Sequence, residues 1–336
     1  MSGSAADARQ VPVTAAAALA RAGALVTPAL DAAVARLGVE LREPVQHHLA
    51  GGGKRVRAAL ALLSAAAAGG DESDGLPGAV AIELIHNYSL IHDDIIDGDR
   101  ERRHRPSVWA EFGVGRAIVA GDALATLATQ ILLELGRPEG VAAAAALAAA
   151  TQAMIEGQSI DMAFETRGAI APEECLAMEQ GKTGALLSCS AAIGAILVGA
   201  PGPVVDALAE FGSDLGIAFQ AIDDVLGIWG EPSRTGKPVG SDLVSHKKSL
   251  PIAIALAGPS GPEQAELAAL LDGPLAGNDL PRATALIGAT GARDAVMAIA
   301  EERLAAALAA LDRVSLAERP RAELAAIARY VTERDQ

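Results

Sequence analysis

Two short acidic runs sit inside otherwise apolar, helix-patterned stretches, 130 residues apart: Leu90-Ile91-His92-Asp93-Asp94-Ile95-Ile96-Asp97 and Phe219-Gln220-Ala221-Ile222-Asp223-Asp224-Val225-Leu226. Carboxylates are costly to bury unless a cation or a hydrogen bond compensates them. Two such runs on two helices suggest facing walls of a divalent-metal site. On a helix Asp93 and Asp97 share a face by their i, i+4 spacing, and Asp94 flanks them. A pair held this way can bind Mg²⁺ while leaving coordination places for water and phosphate oxygens. A solvated acidic face is the plainer explanation of one such run. Here, however, the run follows the apolar Ile82-Glu83-Leu84-Ile85-His86 and precedes the basic Arg100-Glu101-Arg102-Arg103-His104-Arg105. In the second run Gln220 shares a face with Asp223 or Asp224, giving another metal-facing surface.

Cations suited to a phosphate-bearing substrate are spread along the chain. Gly51-Gly52-Gly53-Lys54-Arg55-Val56-Arg57 only superficially suggests a phosphate loop. His48 stands where the first Gly of GxxxxGK[ST] belongs, and Arg55 where Ser or Thr belongs. What remains is a turn feeding a helix, with Lys54 and Arg57 as a cationic pair; helix N-termini and Arg forks suit diphosphate oxygens. Gly181-Lys182-Thr183, Gly236-Lys237-Pro238 and Lys247-Lys248-Ser249-Leu250-Pro251 add further cations. Each of these alone is also what a solvated basic turn looks like.

The elements that must carry these groups are helices. Hydrophobic residues make up 51% of the 336-residue chain, whereas aromatics are 2%. The core must therefore be packed by Ala, Leu, Ile and Val, and Ala has the best helix propensity. Strand-like alternation is nearly absent, so the expected fold is all-α. Turn signals recur at 51–53, 69–78, 137–140, 167–172, 201–203, 230–240, 258–262 and 273–281. Pro172 followed by Glu173 and Glu174 reads as a helix start. No change of composition marks a linker, which favours a single-domain bundle, with residues 1–12 as a disordered tail and 13–336 as the domain. Bundles build ligand sites from side chains on facing helices.

A net charge of −15 argues against general nucleic-acid binding, which needs a basic surface. Cys175 and Cys189 form no CxxC pair and fit buried reduced thiols, and the first ten residues carry no signal-peptide pattern; both point to a cytoplasmic protein. The most apolar stretch, Leu186 to Ala200, is too short for a spanning helix and reads as a buried core helix, so no membrane span is expected.

Taken together, these motifs resemble the trans-isoprenyl diphosphate synthases, or polyprenyl synthetases, over roughly residues 40 to 260 and beyond. The resemblance is carried by GGGKRVR at 51–57, ELIHNYSLIHDDIIDGDRERRHRP at 83–106, GDAL at 121–124, GKTGAL at 181–186, FQAIDDVLG at 219–227, and GKPVGSDL with KKSLP at 236–251. It implies helices around a deep hydrophobic cavity, usually in a homodimer, and Mg²⁺, three ions per active site. Asp93, Asp97 and Asp223 would ligate metal, with Asp94 and Asp224 in support. Arg102, Lys182, Lys237 and Lys247 would hold an allylic diphosphate. Lys54, Arg57, His86 and Arg103 would hold isopentenyl diphosphate, whose double bond attacks the allylic cation before a proton is lost. Thr183 and Gln220 would face the reacting carbons. A lone His on an apolar helix is usually a satisfied core residue; His86 rises above that reading because it stands two helical turns before Asp93. His47, His48, His92, His104 and His246 keep the ordinary reading.

Two departures stand out. Gly227 occupies the last position of the second DDxxD, which resembles a subgroup of bacterial geranylgeranyl diphosphate synthases, and His104 replaces the common Gly after the arginine pair. Product length follows from Tyr88 and Ser89, five and four residues before Asp93. At 1.5 Å per residue they lie roughly 6 to 7.5 Å deeper on the helix, about one isoprene unit below the metals. A large Tyr88 beside a small Ser89 resembles C20 synthases more than C15 ones, so geranylgeranyl diphosphate is the expected product, with farnesyl or C25 diphosphate as alternatives. Two competing classes are a class I terpene cyclase and a non-catalytic regulatory subunit of a prenyl synthase. A cyclase would not need the second diphosphate pocket and would line its cavity with aromatics to steady cations. The regulatory reading has only Gly227 in its favour.

Overall fold

The computed structural model describes residues 14–231, 240–245, 247–258, 261–273, 275 and 278–333. The expected tail at 1–12, Lys237 and His246 lie outside the described residues. The chain is all-α, as its composition requires. In order come α1 (Ala15–Val34), α2 (Val39–Leu49), α3 (Val56–Ala67), a 3₁₀ turn (Glu72–Gly75) and α4 (Leu76–Ile96). A two-residue hairpin follows, β1 (Glu101–Arg102) against β2 (Arg105–Pro106), the one strand pairing among the described residues. Then come α5 (Val108–Phe112), α6 (Val114–Leu133), α7 (Pro138–Glu165), α8 (Pro172–Glu179), a wider π-helical turn (Gln180–Gly184), α9 (Ala185–Leu197) and α10 (Gly202–Trp229). The last helices are α11 (Ser241–Val244), α12 (Leu250–Ala257), α13 (Pro262–Leu271), α14 (Asp279–Ala289), α15 (Ala292–Asp312) and α16 (Glu318–Thr332).

Local chemistry explains several boundaries. Thr14 caps α1 by accepting from the Ala17 N–H at 3.2 Å. The expected start at Pro172 is found, with the Glu174 carboxylate accepting from the Ala171 N–H at 3.0 Å. The expected turn at 69–78 is shorter than its glycines suggest: α4 begins at Leu76, and Gly78 lies inside it, packed against Ile193 and Leu197 of α9.

α3 and α9 are apolar nearly all round and form the middle of the core, from Ala58 to Ala65 and from Leu186 to Leu197. The buried reading of 186–200 therefore stands. The two helices touch backbone to backbone: a Cβ on Gly194 would lie 2.0 Å from the Ala61 carbonyl oxygen. The chain's last helix closes on its first ones. Ala317 N–H donates to Ala67 O at 2.9 Å, and Arg21 of α1 bridges the buried Glu323 of α16 at 2.6 Å. Two smaller apolar clusters sit around the C-terminal half of α10 with α12 and α15, and around α11 to α14.

By length and composition alone, α1, α6 and α7 could each cross a membrane. Each instead lays one face on the core, for example Ala18, Ala22, Val26 and Leu30 of α1. On α6 and α7 further apolar side chains stay exposed, with Ile118, Val119 and Leu133 on one helix and Val141 and Ile160 on the other.

Candidate active site

α4 is the central element of the site, because its successive turns line two cavities. The first has a volume of about 300 Å³ and is lined by Lys54, Arg55, Arg57, Glu83, His86, Asn87 and Arg103, with Leu187, Leu215 and Phe219 at its apolar side. All four residues expected on isopentenyl diphosphate thus meet in one place. Burial, together with the neighbouring guanidinium charges of Arg57 and Arg103, holds the His86 imidazole well below its ordinary pKa, so it is neutral at pH 7. Burial also lowers the pKa of Arg57, and its Nε is buried without a hydrogen-bond partner in the structure. A pocket this cationic is short of an anion.

Two features missed in the sequence shape this pocket. Arg55, in a left-handed conformation (φ 54°) ahead of α3, bonds the buried Glu83 carboxylate at 2.5 Å and so pins the glycine-rich turn to α4. Glu83 reads as one more helix residue until that partner is known. His47 Nε2 donates to Pro106 O, 2.8 Å away, and holds the hairpin that presents Arg103. The hairpin's two turn residues, Arg103 and His104, both have positive φ (53° and 61°). This is the primed turn that two-residue hairpins favour. His104 thus sits where glycine would be unstrained, at a cost of about 1 kcal/mol, without displacing Arg103. The turn glycines give the guanidinium room: a Cβ on Gly53 would come within 3.4 Å of Arg103 Nη1.

The second cavity, about 270 Å³, is mostly apolar and lined by Tyr88, Ser89, His92, Ile96, Met154, Ile155, Gln158 and Met162, with Asp93 and Lys182 among its polar groups. Tyr88 and Ser89 therefore stand in the cavity, below Asp93 on the same helix. Asp93 is pushed up to about 6 by burial; Lys182 opposes the shift and Asp97 adds to it. Asp97 is exposed at the end of α4 and is also raised, chiefly by partial burial. Lys182 forms an ion pair with Asp161 of α7, a carboxylate the sequence reading did not select. Its signal is the run Gly157-Gln158-Ser159-Ile160-Asp161. A Cβ on Gly157 would lie 2.3 Å from Lys182 N, so the glycine lets α7 approach the π-helical turn that carries Lys182 and Thr183.

On the facing helix α10, the two aspartates separate. Asp223 is exposed, whereas Asp224 is buried and fully engaged. Its Oδ1 accepts from Gln220 Nε2 and its Oδ2 from the Leu250 N–H at the start of α12, both at 2.8 Å. Gln220 in turn accepts from Thr183 Oγ1 at 2.9 Å. A continuous chain thus runs Thr183–Gln220–Asp224–Leu250, joining the π-helical turn, α10 and α12. Asp94 is placed in the same manner: buried, with one oxygen bonded by Arg102 Nε at 2.7 Å. Asp94 and Asp224 are internal ties rather than solvent-facing ligands. Arg102 is turned onto Asp94 and lines neither cavity.

Lys247 joins the two acidic walls. Desolvation opposes its charge, but Asp242 and Asp224, together with Asp161 and Asp223, raise its pKa, and it in turn lowers that of Asp97. Gly227 is explained by the same region. A Cβ there would lie 2.2 Å from Asp242 Oδ2. The missing third carboxylate of the second run is thus replaced in space by a buried one from α11. Asp93 and Asp97 on α4 and Asp223 on the facing α10 offer carboxylate oxygens only, Asp97 raising the pKa of Asp93, and beside them Asp94 keeps a buried Oδ2 without a partner in the structure. That donor chemistry suits Mg²⁺.

The family model of polyprenyl synthetases matches residues 39–282. A (2E,6E)-farnesyl diphosphate synthase of Mycobacterium tuberculosis is 42% identical over 325 residues, covering 92% of this chain and 90% of that one. A geranylgeranyl diphosphate synthase of the same organism is 44% identical over 264 residues, covering 77% and 75%. Among solved structures, the geranylgeranyl pyrophosphate synthase of Corynebacterium glutamicum, complexed with isoprenyl diphosphate and magnesium, superposes with a TM-score of 0.82 at 30% identity, covering 96% of this chain and all of that one. With the aspartate walls, the cationic cavity and the all-α frame in agreement with these likenesses, the chain belongs to the polyprenyl synthetase family of prenyltransferases.

Proposed function

We propose that the protein condenses isopentenyl diphosphate head to tail with an allylic diphosphate and releases geranylgeranyl diphosphate. The observation that carries this reading is the pair of cavities on α4. One is cationic and closed by Lys54, Arg57, His86 and Arg103; the other is apolar, with Asp93 and Lys182 among its lining. A two-substrate condensation needs a second diphosphate site, whereas a cyclase needs one only. Bound Mg²⁺, held by Asp93, Asp97 and Asp223, would neutralise the allylic diphosphate and stabilise it as a leaving group. Lys182 and Lys247 add fixed positive charge on the same side. The Thr183–Gln220 pair is held between the acidic walls by Asp224, where it can border the reacting carbons. The first cavity holds isopentenyl diphosphate with its double bond toward the allylic carbon, and the neutral His86 donates to phosphate without adding another full charge. Preorganised cations in a site that excludes water are the main source of rate.

For the product, Tyr88 and Ser89 in the second cavity favour a C20 chain. The likeness to a farnesyl diphosphate synthase over 92% of the chain favours C15 as the second reading. The residues at the metal end are intact and the Gly227 notch is filled, which speaks against a non-catalytic subunit. We further propose a cytoplasmic homodimer that buries the exposed apolar side chains of α6 and α7. The deciding experiment supplies Mg²⁺, isopentenyl diphosphate and each of the C5, C10 and C15 allylic diphosphates, then sizes the hydrolysed alcohols. A C20 alcohol supports the proposal, a C15 alcohol replaces the product, and no condensation with any starter overturns the activity.

A further inference from the structure

His92 falls one residue before the first aspartate, where nothing in the reaction requires an imidazole. It lies one helical turn after Tyr88, and both line the second cavity. Side chains on a helix lean toward its N-terminus, so a residue at i+4 covers the one at i. The two rings meet edge to face, with centroids 4.8 Å apart and planes at 69°. The imidazole is in turn held from the neighbouring helix: His92 Nε2 lies 3.1 Å from Ile118 O and 3.9 Å from an Asp122 carboxylate oxygen on α6. Gly121, between those contacts, has no side chain to intrude; a Cβ there would lie 2.3 Å from Nε2. The imidazole is therefore seated in a notch on α6 and presses on the phenol from the aspartate side.

We infer that His92 is a positioning residue for product length, fixing the Tyr88 ring across the cavity so that the floor is a two-residue device on α4 braced by α6. The inference rests on the reading of Tyr88 as that floor. With the imidazole in place, the phenol cannot tip toward the aspartates to let a longer chain pass. Removing the imidazole opens that space without touching a diphosphate or metal ligand. Filling the notch at Gly121 drives the imidazole toward the phenol and narrows the cavity.

The test compares the parent with His92→Ala, Tyr88→Ala, the double variant and Gly121→Ala, each sized by its prenyl alcohols under identical substrate ratios. His92→Ala should move the main product up by one isoprene unit, with the ratio of longer to parent product rising roughly tenfold or more, the scale on which pockets discriminate small apolar groups. The double variant should give no longer product than Tyr88→Ala alone, because His92 acts through the phenol. Gly121→Ala should shift the distribution toward shorter chains. If Tyr88→Ala lengthens the product and His92→Ala does not, the inference is overturned while the floor reading stands. If Tyr88→Ala changes nothing although condensation persists, both fall. A double variant that adds a further unit would make His92 an independent wall and overturn the positioning role.

Discussion

Within each acidic run, one or two carboxylates face the site and a neighbour is tied into the protein. Asp93 and Asp97 face outward with Asp223, while Asp94 and Asp224 hold Arg102, Gln220 and the start of α12. Alanine at Asp93 or Asp223 should lower kcat by roughly 10²- to 10³-fold, the usual scale for losing preorganised electrostatic stabilisation, with circular dichroism unchanged. Asparagine at Asp224 should instead lower the melting temperature. The pH response follows from the raised pKa values of Asp93 and Asp94, both pushed to about 6 chiefly by burial. Between the ordinary carboxylate value near 4 and this raised value, the folded chain binds more protons than the unfolded one. Their contribution to stability is complete below about 4 and is lost as pH rises through about 6. Thermal denaturation of the chelator-treated protein should show that declining component, and Asp93→Asn should flatten it. Gly227 yields a sharper prediction. Restoring the family's aspartate with Gly227→Asp should lower activity, because the new side chain meets Asp242 and disturbs Lys247. A loss of about tenfold corresponds to about 1.4 kcal/mol. Asp242→Ala in that background should recover part of it, whereas full activity of the single variant would discard the replacement of one carboxylate by the other.

At the level of elements, the site depends on small groups that let helices and turns approach. The hairpin after α4 presents Arg103 to the first cavity because His47 holds its far strand at Pro106. His47→Ala should raise KM for isopentenyl diphosphate several-fold with little change in kcat, the pattern of lost ground-state positioning; an unchanged KM would free the hairpin from that role. In the core, Gly194→Ala forces α9 away from α3 at Ala61. Overpacking of this kind costs roughly 1–3 kcal/mol, and differential scanning calorimetry should register it as a lowered melting temperature.

For the whole molecule, the exposed apolar side chains of α6 and α7 are the strongest reason to expect association. Two-fold pairing would bring Val119, Val141 and Ile160 against a second copy, and a self-complementary patch closes with no surface left over. Light scattering should give a dimer for the parent and a monomer for a Val119→Asp, Val141→Asp double variant. A parent that stays monomeric at micromolar concentration would remove the homodimer proposal. The same side chains explain why α6 and α7 pass for membrane spans by composition: a helix with apolar side chains outside its core face serves a core with one set and an interface with the other.

The helical class, the two aspartate runs and the Lys54–Arg57 pair were legible in the amino-acid sequence, because helical periodicity and local charge spacing are properties of neighbouring residues. So was the depth of Tyr88 and Ser89 below Asp93, which follows from helical rise alone. His86 and Arg103 joined the Lys54–Arg57 pair only through the family resemblance. Only the tertiary structure decided which aspartate of each run faces outward, since that depends on partners such as Arg102 and Leu250 from other elements. It also turned Arg102 inward, brought Asp161 to Lys182, set Asp242 into the space left by Gly227, and seated His92 over Tyr88 in a notch on α6. Each of these contacts is made across helices by side chains distant in sequence, and the close approach of backbones at small residues brings them within reach.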